Sequence, residues 1–71
     1  MKNEIFRFRD LVIYLQFYNQ QEEDNNIGII KAENAGNTHL FWETFHGHEQ
    51  RNLMIAWALK AVANHLEEGE F

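Results

Sequence analysis

The spacing of apolar residues is most regular in the last third of the chain, where it predicts an α-helix over residues 49–66. One row of apolar residues recurs there at the spacing with which a helix covers a core. The members of this row are Ile55, Leu59, Val62 and Leu66. Alanines along the segment raise its helix propensity, and Gly69 stands where a left-handed C-terminal cap is expected.

A second apolar row lies more than about 100° around the same helix. It consists of Leu53, Trp57 and Ala61, with Met54 beside them. A surface helix of a small monomer needs only one apolar stripe, so the second row must contact another part of the domain or another chain. Both interpretations stay open, and the preference of Trp and Met for protein interfaces favours a partner as readily as the core.

Residues 4–19 fit two kinds of element. As a helix, the segment places most of its apolar residues on one broad face, and Asn3 followed by Glu4 suits a helix start. As a strand, residues 11–18 are rich in β-favouring types and alternate in polarity. A single strand covering the whole segment would exceed the usual length of about five or six residues, so we predict a helix.

Polar residues 19–26 predict a loop, or a frayed helix end followed by a loop. A strand, a turn and a second strand are predicted to follow, over residues 27–33, 34–37 and 38–45. Alternation in the second strand puts Leu40 and Trp42 on one face, and Phe41 and Phe45 on the other. Because both faces are partly apolar, the hairpin would be covered on both sides or extended by a strand of another chain.

These elements predict an α+β fold in a single domain, residues 1–71. The preferred arrangement is helix, β-hairpin, helix (αββα). If residues 5–18 form a strand instead, the arrangement becomes a three-stranded antiparallel meander with one C-terminal helix (βββα). A two-stranded sheet is poorly stable alone, so the helices must pack on it, and its open edges invite pairing with a second copy or a target.

The length and composition limit how much apolar surface the chain can hide by itself. A domain of 71 residues buries only roughly 60–65% of its unfolded surface. Small domains usually add disulfides, a metal or an oligomer, and the absence of cysteine excludes disulfides and thiolate metal sites. We therefore expect a homo-oligomer. Charged residues interrupt the N-terminal segment and no apolar stretch reaches membrane length, so a soluble cytoplasmic protein is expected.

Acidic residues outnumber basic ones, and the formal net charge is −5. This balance argues against general nucleic-acid binding and suits a protein partner with a basic surface. The basic concentration at Lys2, Arg7 and Arg9 lies beside Phe6 and Phe8. It supports an alternative function, a small nucleic-acid-associated regulator that uses this basic and aromatic N-terminal end.

The sequence offers little that could carry catalysis or hold a metal. The four histidines and Glu43 do not match a known zinc spacing; the histidines are His39, His46, His48 and His65. Cysteine, serine and a glycine-rich phosphate loop are all absent, and only Glu43 with His46 or His48 is conceivable as an acid–base pair. We predict no catalytic residue, no metal site and no cofactor.

Acidic residues crowd the end of the predicted long helix, where they oppose the helix macrodipole. They are either solvated charges on a frayed tail or the charged rim of a partner-binding surface. Folding of a single chain gives no reason for them, and we predict the rim. The predicted contact residues are Leu53, Met54 and Trp57, and the rim residues are Glu67, Glu68 and Glu70. The predicted function is that of a non-enzymatic, acidic interaction protein. It would act as a homodimer that binds and inhibits or modulates another macromolecule, as accessory inhibitors of phages and mobile elements do.

Overall fold

A computed structural model describes residues 1–34 and 39–69 of the chain. The described residues form four strands and two helices. In chain order these are β1 (Lys2–Phe8), β2 (Leu11–Gln16), α1 (Gln20–Asp24), β3 (Ile27–Glu33), β4 (His39–His46) and α2 (His48–Glu67). The strands make one antiparallel sheet in the order β1-β2-β3-β4, and α2 packs against β3 and β4. The predicted α+β fold class is confirmed, with the arrangement ββαββα.

The prediction of a helix over residues 4–19 is wrong, because β1 and β2 occupy this segment. Arg9 adopts a positive φ of 54°, which suits the tight turn that joins the two strands. With a turn in the middle, the strands are 7 and 6 residues long, and the objection from length disappears. Alternation then buries Leu11, Ile13 and Leu15 on one face of β2.

The polar segment predicted as a loop contains the short helix α1. The side chain of Asn19 caps this helix, because its Oδ1 accepts a hydrogen bond from the backbone N–H of Glu22 at 2.8 Å. An Asn followed three residues later by Glu is a helix-start signal that a count of polar residues alone does not register.

The remaining predictions agree closely with the structure. The strand predicted over residues 27–33 is β3, the strand predicted over 38–45 is β4, and the helix predicted over 49–66 is α2, one residue longer at each end. The predicted turn at residues 34–37 lies, apart from Asn34, outside the described residues.

The core-facing line of α2 runs between the two apolar rows of the sequence. Ala58 and Val62 are the buried residues of α2, and Met54 and Ile55 pack partly against the core beside them. The prediction that Leu59 and Leu66 face the core is wrong, because both are exposed. The physical reason is the small side chain of Ala58, which lets the helix approach the sheet most closely at that residue. The two apolar rows therefore lie on either side of the contact between the helix and the sheet.

The first turn of α2 is tied to the start of β3. Gly47, at φ 94°, donates its N–H to the carbonyl of Asn26 at 2.8 Å. The guanidinium of Arg51 donates to Oδ1 of Asn26, and Oε1 of Gln50 accepts the backbone N–H of His46 at 2.8 Å. These bonds fix the direction in which α2 leaves the sheet. Neither described helix has the length and apolar character needed to cross a membrane.

Replacing Ala58 tests how closely the helix approaches the sheet. Ala58→Leu should lower the free energy of unfolding by about 1–3 kcal/mol, because the added atoms have no space to enter. Ala56→Leu, on the exposed side of α2, is the matched control and should change stability by less than about 0.5 kcal/mol. Urea unfolding of both variants measures this, and equal losses would contradict the seating of the helix on Ala58.

Candidate interaction surface

The two faces of the sheet differ in what covers them. Leu11, Ile13, Leu15, Ile30 and Phe45 belong to the buried cluster that includes Ala58 and Val62 of α2. Their neighbours along each strand point to the opposite face, which we call the open face because α2 packs on the other side of the sheet. The open face carries Val12, Tyr14, Gln16, Ile29, Lys31, Trp42 and Thr44, as the strand register places them.

Polar contacts fill the β1 end of the open face. The hydroxyl of Tyr14 donates to a carboxylate oxygen of Glu33 at 2.6 Å, and Nζ of Lys2 lies 4.9 Å from the centre of the Tyr14 ring. Arg7 forms an ion pair with Glu4, with 2.6 Å between Nη2 and Oε1. The basic side chains Lys2 and Arg7 thus already contact groups of their own chain, which weakens the case for a nucleic-acid interface at this end.

These contacts shift the ionisation of two groups. Burial, followed by the hydrogen bond and the negative charge of Glu33, raises the pKa of Tyr14 to about 12. The hydrogen bond with Glu4 and the charge of that carboxylate raise the pKa of the exposed Arg7. Tyr14 is buried although it lies on the open face, because the side chains around it shield its ring. The polar groups at the β1 end thus contact one another around a cavity of about 190 Å³ that Lys2, Glu4 and Arg7 help to line.

The β4 end of the sheet is apolar and exposed. Four large side chains keep much of their surface in water: Leu40 (46%), Trp42 (57%), Leu53 (65%) and Trp57 (42%). Leu53 and Trp57 come from the flank of α2 that overhangs β4, since the rings of Trp57 and Phe41 meet edge to face at 4.8 Å. We call these four side chains the β4 surface. Trp42 lies on the open face, whereas Leu53 and Trp57 lie on the side of the sheet that α2 covers, so this surface flanks the β4 edge on both sides. A small domain that leaves such a group exposed usually uses it for binding.

The residues predicted for partner binding fall into three groups. Leu53 and Trp57 are exposed and adjoin β4, whereas Met54 is half-buried against the core. Glu67 and Glu68 are exposed at the end of α2, and Glu70 lies outside the described residues. Sequence reasoning missed Leu40 and Trp42 as members of the same surface. Their alternation with Phe41 and Phe45 was the signal, but it does not reveal that β4 lies at an edge of the sheet.

The backbone of the β4 edge can be assigned from the hydrogen bond of Gly47 to Asn26. Alternation along the ladder makes 41, 43 and 45 the residues bonded to β3, and it turns the N–H and C=O groups of Trp42 and Thr44 outward. The N–H of His46 also points outward, and it donates a hydrogen bond to Oε1 of Gln50 in the same chain. Within the described residues, no strand lies against the outward groups of Trp42 and Thr44.

The other edge strand, β1, carries features that discourage strand pairing. Lys2, Glu4 and Arg7 place charges along it, and a register shift between Glu4 and Phe6 bends it. By contrast β4 contains no lysine or proline and its one acidic residue is Glu43. Its register shift skips Leu40, between His39 and Phe41, and residues 41–46 pair regularly with β3. The two edges of the sheet are therefore not equivalent.

The structure separates Glu43 from His46, one of its two candidate partners in an acid–base pair. Glu43 is opposite the buried Ile30, whereas His46 is opposite Ile27 on the other face, so the two side chains leave the sheet in opposite directions. A groove of about 320 Å³ near α1 has Thr44 and His46 among its lining residues. Among residues 1–34 and 39–69, no group of three or more histidine, aspartate or glutamate side chains lies close enough to hold a metal ion.

Comparison with known proteins adds no assignment. No protein-family model matches the chain, and no curated protein or solved structure is significantly similar to it. The functional argument therefore depends on the geometry of the chain itself.

The Tyr14 contact predicts a specific loss of stability at alkaline pH. The pKa of a tyrosine is 10.0 in a peptide, and that of Tyr14 is about 12 in the folded chain. The stability that the Tyr14 hydroxyl adds to the folded chain is therefore fully present below pH 10 and is lost as the pH rises through 12. Tyr14→Phe should cost about 1 kcal/mol at neutral pH, and the difference from wild type should shrink across that window.

Urea unfolding at a series of pH values measures this difference. Tyr18→Phe removes a hydroxyl from a side chain that is almost fully exposed, and its unfolding curves should follow those of the wild type. A constant gap between Tyr14→Phe and the wild type from neutral pH to pH 12 would show that the hydroxyl does not titrate as the contact requires.

Proposed function

We propose that this chain is a non-enzymatic interaction protein that acts as a homodimer and binds and modulates another macromolecule. The observation that carries the proposal is the β4 surface, where two tryptophans and two leucines stay exposed on a chain of 71 residues. Burying a large apolar side chain yields about 1.5–3 kcal/mol. Leaving four of them in water on a domain with so small a core favours a binding role.

The composition of this surface suits protein recognition. Trp is among the residues enriched at the centres of protein interfaces, and the flanking leucines supply apolar area around it. The net charge of −5 favours a macromolecule with a basic surface, and the exposed Glu67 and Glu68 are available to meet one. Inhibition of an enzyme or a nucleic-acid-binding protein is the kind of modulation that such a surface supports, as in accessory proteins of phages and mobile elements.

A matched pair of variants tests the proposal in a binding experiment. Leu53→Asp places a charge on the β4 surface at its most exposed side chain, whereas Tyr18→Asp makes a similar change at a side chain outside it that is 91% exposed. We expect the wild type and Tyr18→Asp to capture the same protein from a host-cell lysate. Leu53→Asp should bind that protein, once purified, at least about tenfold more weakly.

The activity of the captured macromolecule, measured with and without the chain, separates modulation from binding alone. Equal affinities of Leu53→Asp and the wild type for the captured protein would contradict the assignment of the surface. An unchanged activity of the captured protein at saturating chain would contradict the modulating role.

A further inference from the structure

We infer that β4 pairs with β4 of a second copy, antiparallel and centred on Trp42, so that two chains share one continuous eight-stranded sheet. This inference deepens the proposed function, on which it rests, by naming a second copy as the occupant of the β4 surface. Leu53→Asp in the capture experiment then reports on the dimer as well as on the captured protein. A two-fold axis perpendicular to the sheet generates the pairing and keeps the helices of both copies on the same face.

The outward backbone groups fix the registers that are possible. Trp42 and Thr44 present their N–H and C=O groups at the edge, so a hydrogen-bonded pair must join residues of this set. An axis at Glu43 would place two carboxylates opposite each other, which is destabilising. An axis at Trp42 pairs the two tryptophans on the open face and sets Glu43 opposite Phe41. This register brings Thr44 opposite Leu40, the residue that the ladder with β3 skips, and it makes no like-charge contact. An axis at Thr44 would instead set Trp42 opposite His46, whose N–H already donates to Gln50.

The position of α2 agrees with this axis. Since strands are about 4.8 Å apart, a helix over β3 and β4 lies about 5–7 Å from an axis just outside β4, and the two copies of α2 run about 10–14 Å apart. Packed helices are typically about 8–10 Å apart, and the side chains of Leu53 and Trp57 occupy the extra width. Trp57 contacts Phe41, so the centre of the helix lies beside the proposed axis.

The area of the contact is sufficient for a stable dimer. If a fully exposed Leu or Trp offers about 200–250 Å², the exposed fractions of the β4 surface amount to about 450 Å² for each copy. A typical interface buries about 800 Å² per partner, and the paired backbone with its flanking side chains supplies the remainder. Because the contact is isologous, the β4 surface of one copy meets the same apolar side chains of the other copy. A different protein would need an apolar surface of its own with a matching shape.

Charge also favours a second copy as the occupant. The axis makes the two α2 helices antiparallel, so the end of each helix, with Glu67 and Glu68, comes beside the first turn of the other. Carboxylates oppose the dipole of their own helix at that end, but they are favourable next to the N-terminus of a neighbouring helix. Glu49 in that first turn offsets part of this gain. The dimer therefore gives these acidic residues a role that a single folded chain does not.

Sedimentation equilibrium of the purified chain tests the pairing without any other macromolecule present. The wild type should have twice the 8.5 kDa chain mass. Thr44→Pro removes an outward N–H that the ladder with β3 does not use and should sediment as a monomer, whereas Thr44→Ala keeps this N–H and should remain dimeric. Trp42→Lys puts a charge on the exposed edge and should weaken dimerisation at least tenfold, while Gln21→Lys, on exposed α1, should not.

Single cysteines test the register, because the chain has none of its own. Residues paired across the axis lie about 5.5 Å apart at Cα, within disulfide range. Trp42→Cys should therefore form a disulfide-linked dimer on mild oxidation with oxidised glutathione. Glu43→Cys, one residue away and displaced from its symmetry mate, should not.

A wild-type chain that sediments as a monomer up to its solubility limit would overturn the pairing, as would a folded Thr44→Pro that remains dimeric. Preferential cross-linking of Glu43→Cys would overturn the register. A dimer that captures no macromolecule from the lysate would leave the pairing standing and refute the proposed function. A monomer whose capture depends on Leu53 would refute the pairing and the homodimer of the proposed function, and would leave its macromolecule-binding part standing.

Discussion

One α-helix is too narrow to cover the apolar face of a four-stranded sheet. The helix with its side chains is about 10–12 Å across, whereas four strands span about 15–19 Å. In this chain α2 is seated on β3 and β4 through Ala58 and Val62, and aromatic residues of β1 stay only partly covered. The distribution of apolar surface over the molecule follows from this mismatch of widths.

The seating of α2 also explains why the helix carries two apolar rows. A side chain as small as Ala58 brings the helix axis close to the sheet, so larger residues on each side reach down as flanks. One flank ends at Ile55, which packs partly against the core, and the other at Trp57, which packs on Phe41 and overhangs the edge strand. Exposure of Leu53 beyond Trp57 is thus a consequence of where the helix makes its closest contact.

The sequence was a good guide where a periodicity had one interpretation. The long helix, both strands of the second hairpin and the α+β class followed from spacing and turn chemistry, because these patterns have the period of only one element. Residues 4–19 are mispredicted because their apolar residues fit both periods, and in the turn at Arg9 and Asp10 only an aspartate marks the break. Local polarity cannot decide such a case.

The candidate surface was predictable only in part, for a related reason. Leu53 and Trp57 could be identified from the helix alone, since a second apolar row needs a contact. The contribution of Leu40 and Trp42 depends on β4 being the last strand of the sheet, and strand order is a property of the whole fold. Met54 is predicted as a contact residue and lies half-buried against the core. Helical spacing gives the angle between the two apolar rows, but it does not show which of them faces the sheet.

The inequality of the two sheet edges limits how large an assembly can grow. Charges and a bend on β1 discourage addition of a strand there, so β4 is the one edge suited to extension among the described strands. In the proposed pairing through β4, each copy covers the edge strand at which the other copy could add a further chain. Association then closes at a pair instead of propagating into a fibre, and a chain with exposed tryptophans can avoid amyloid-like stacking.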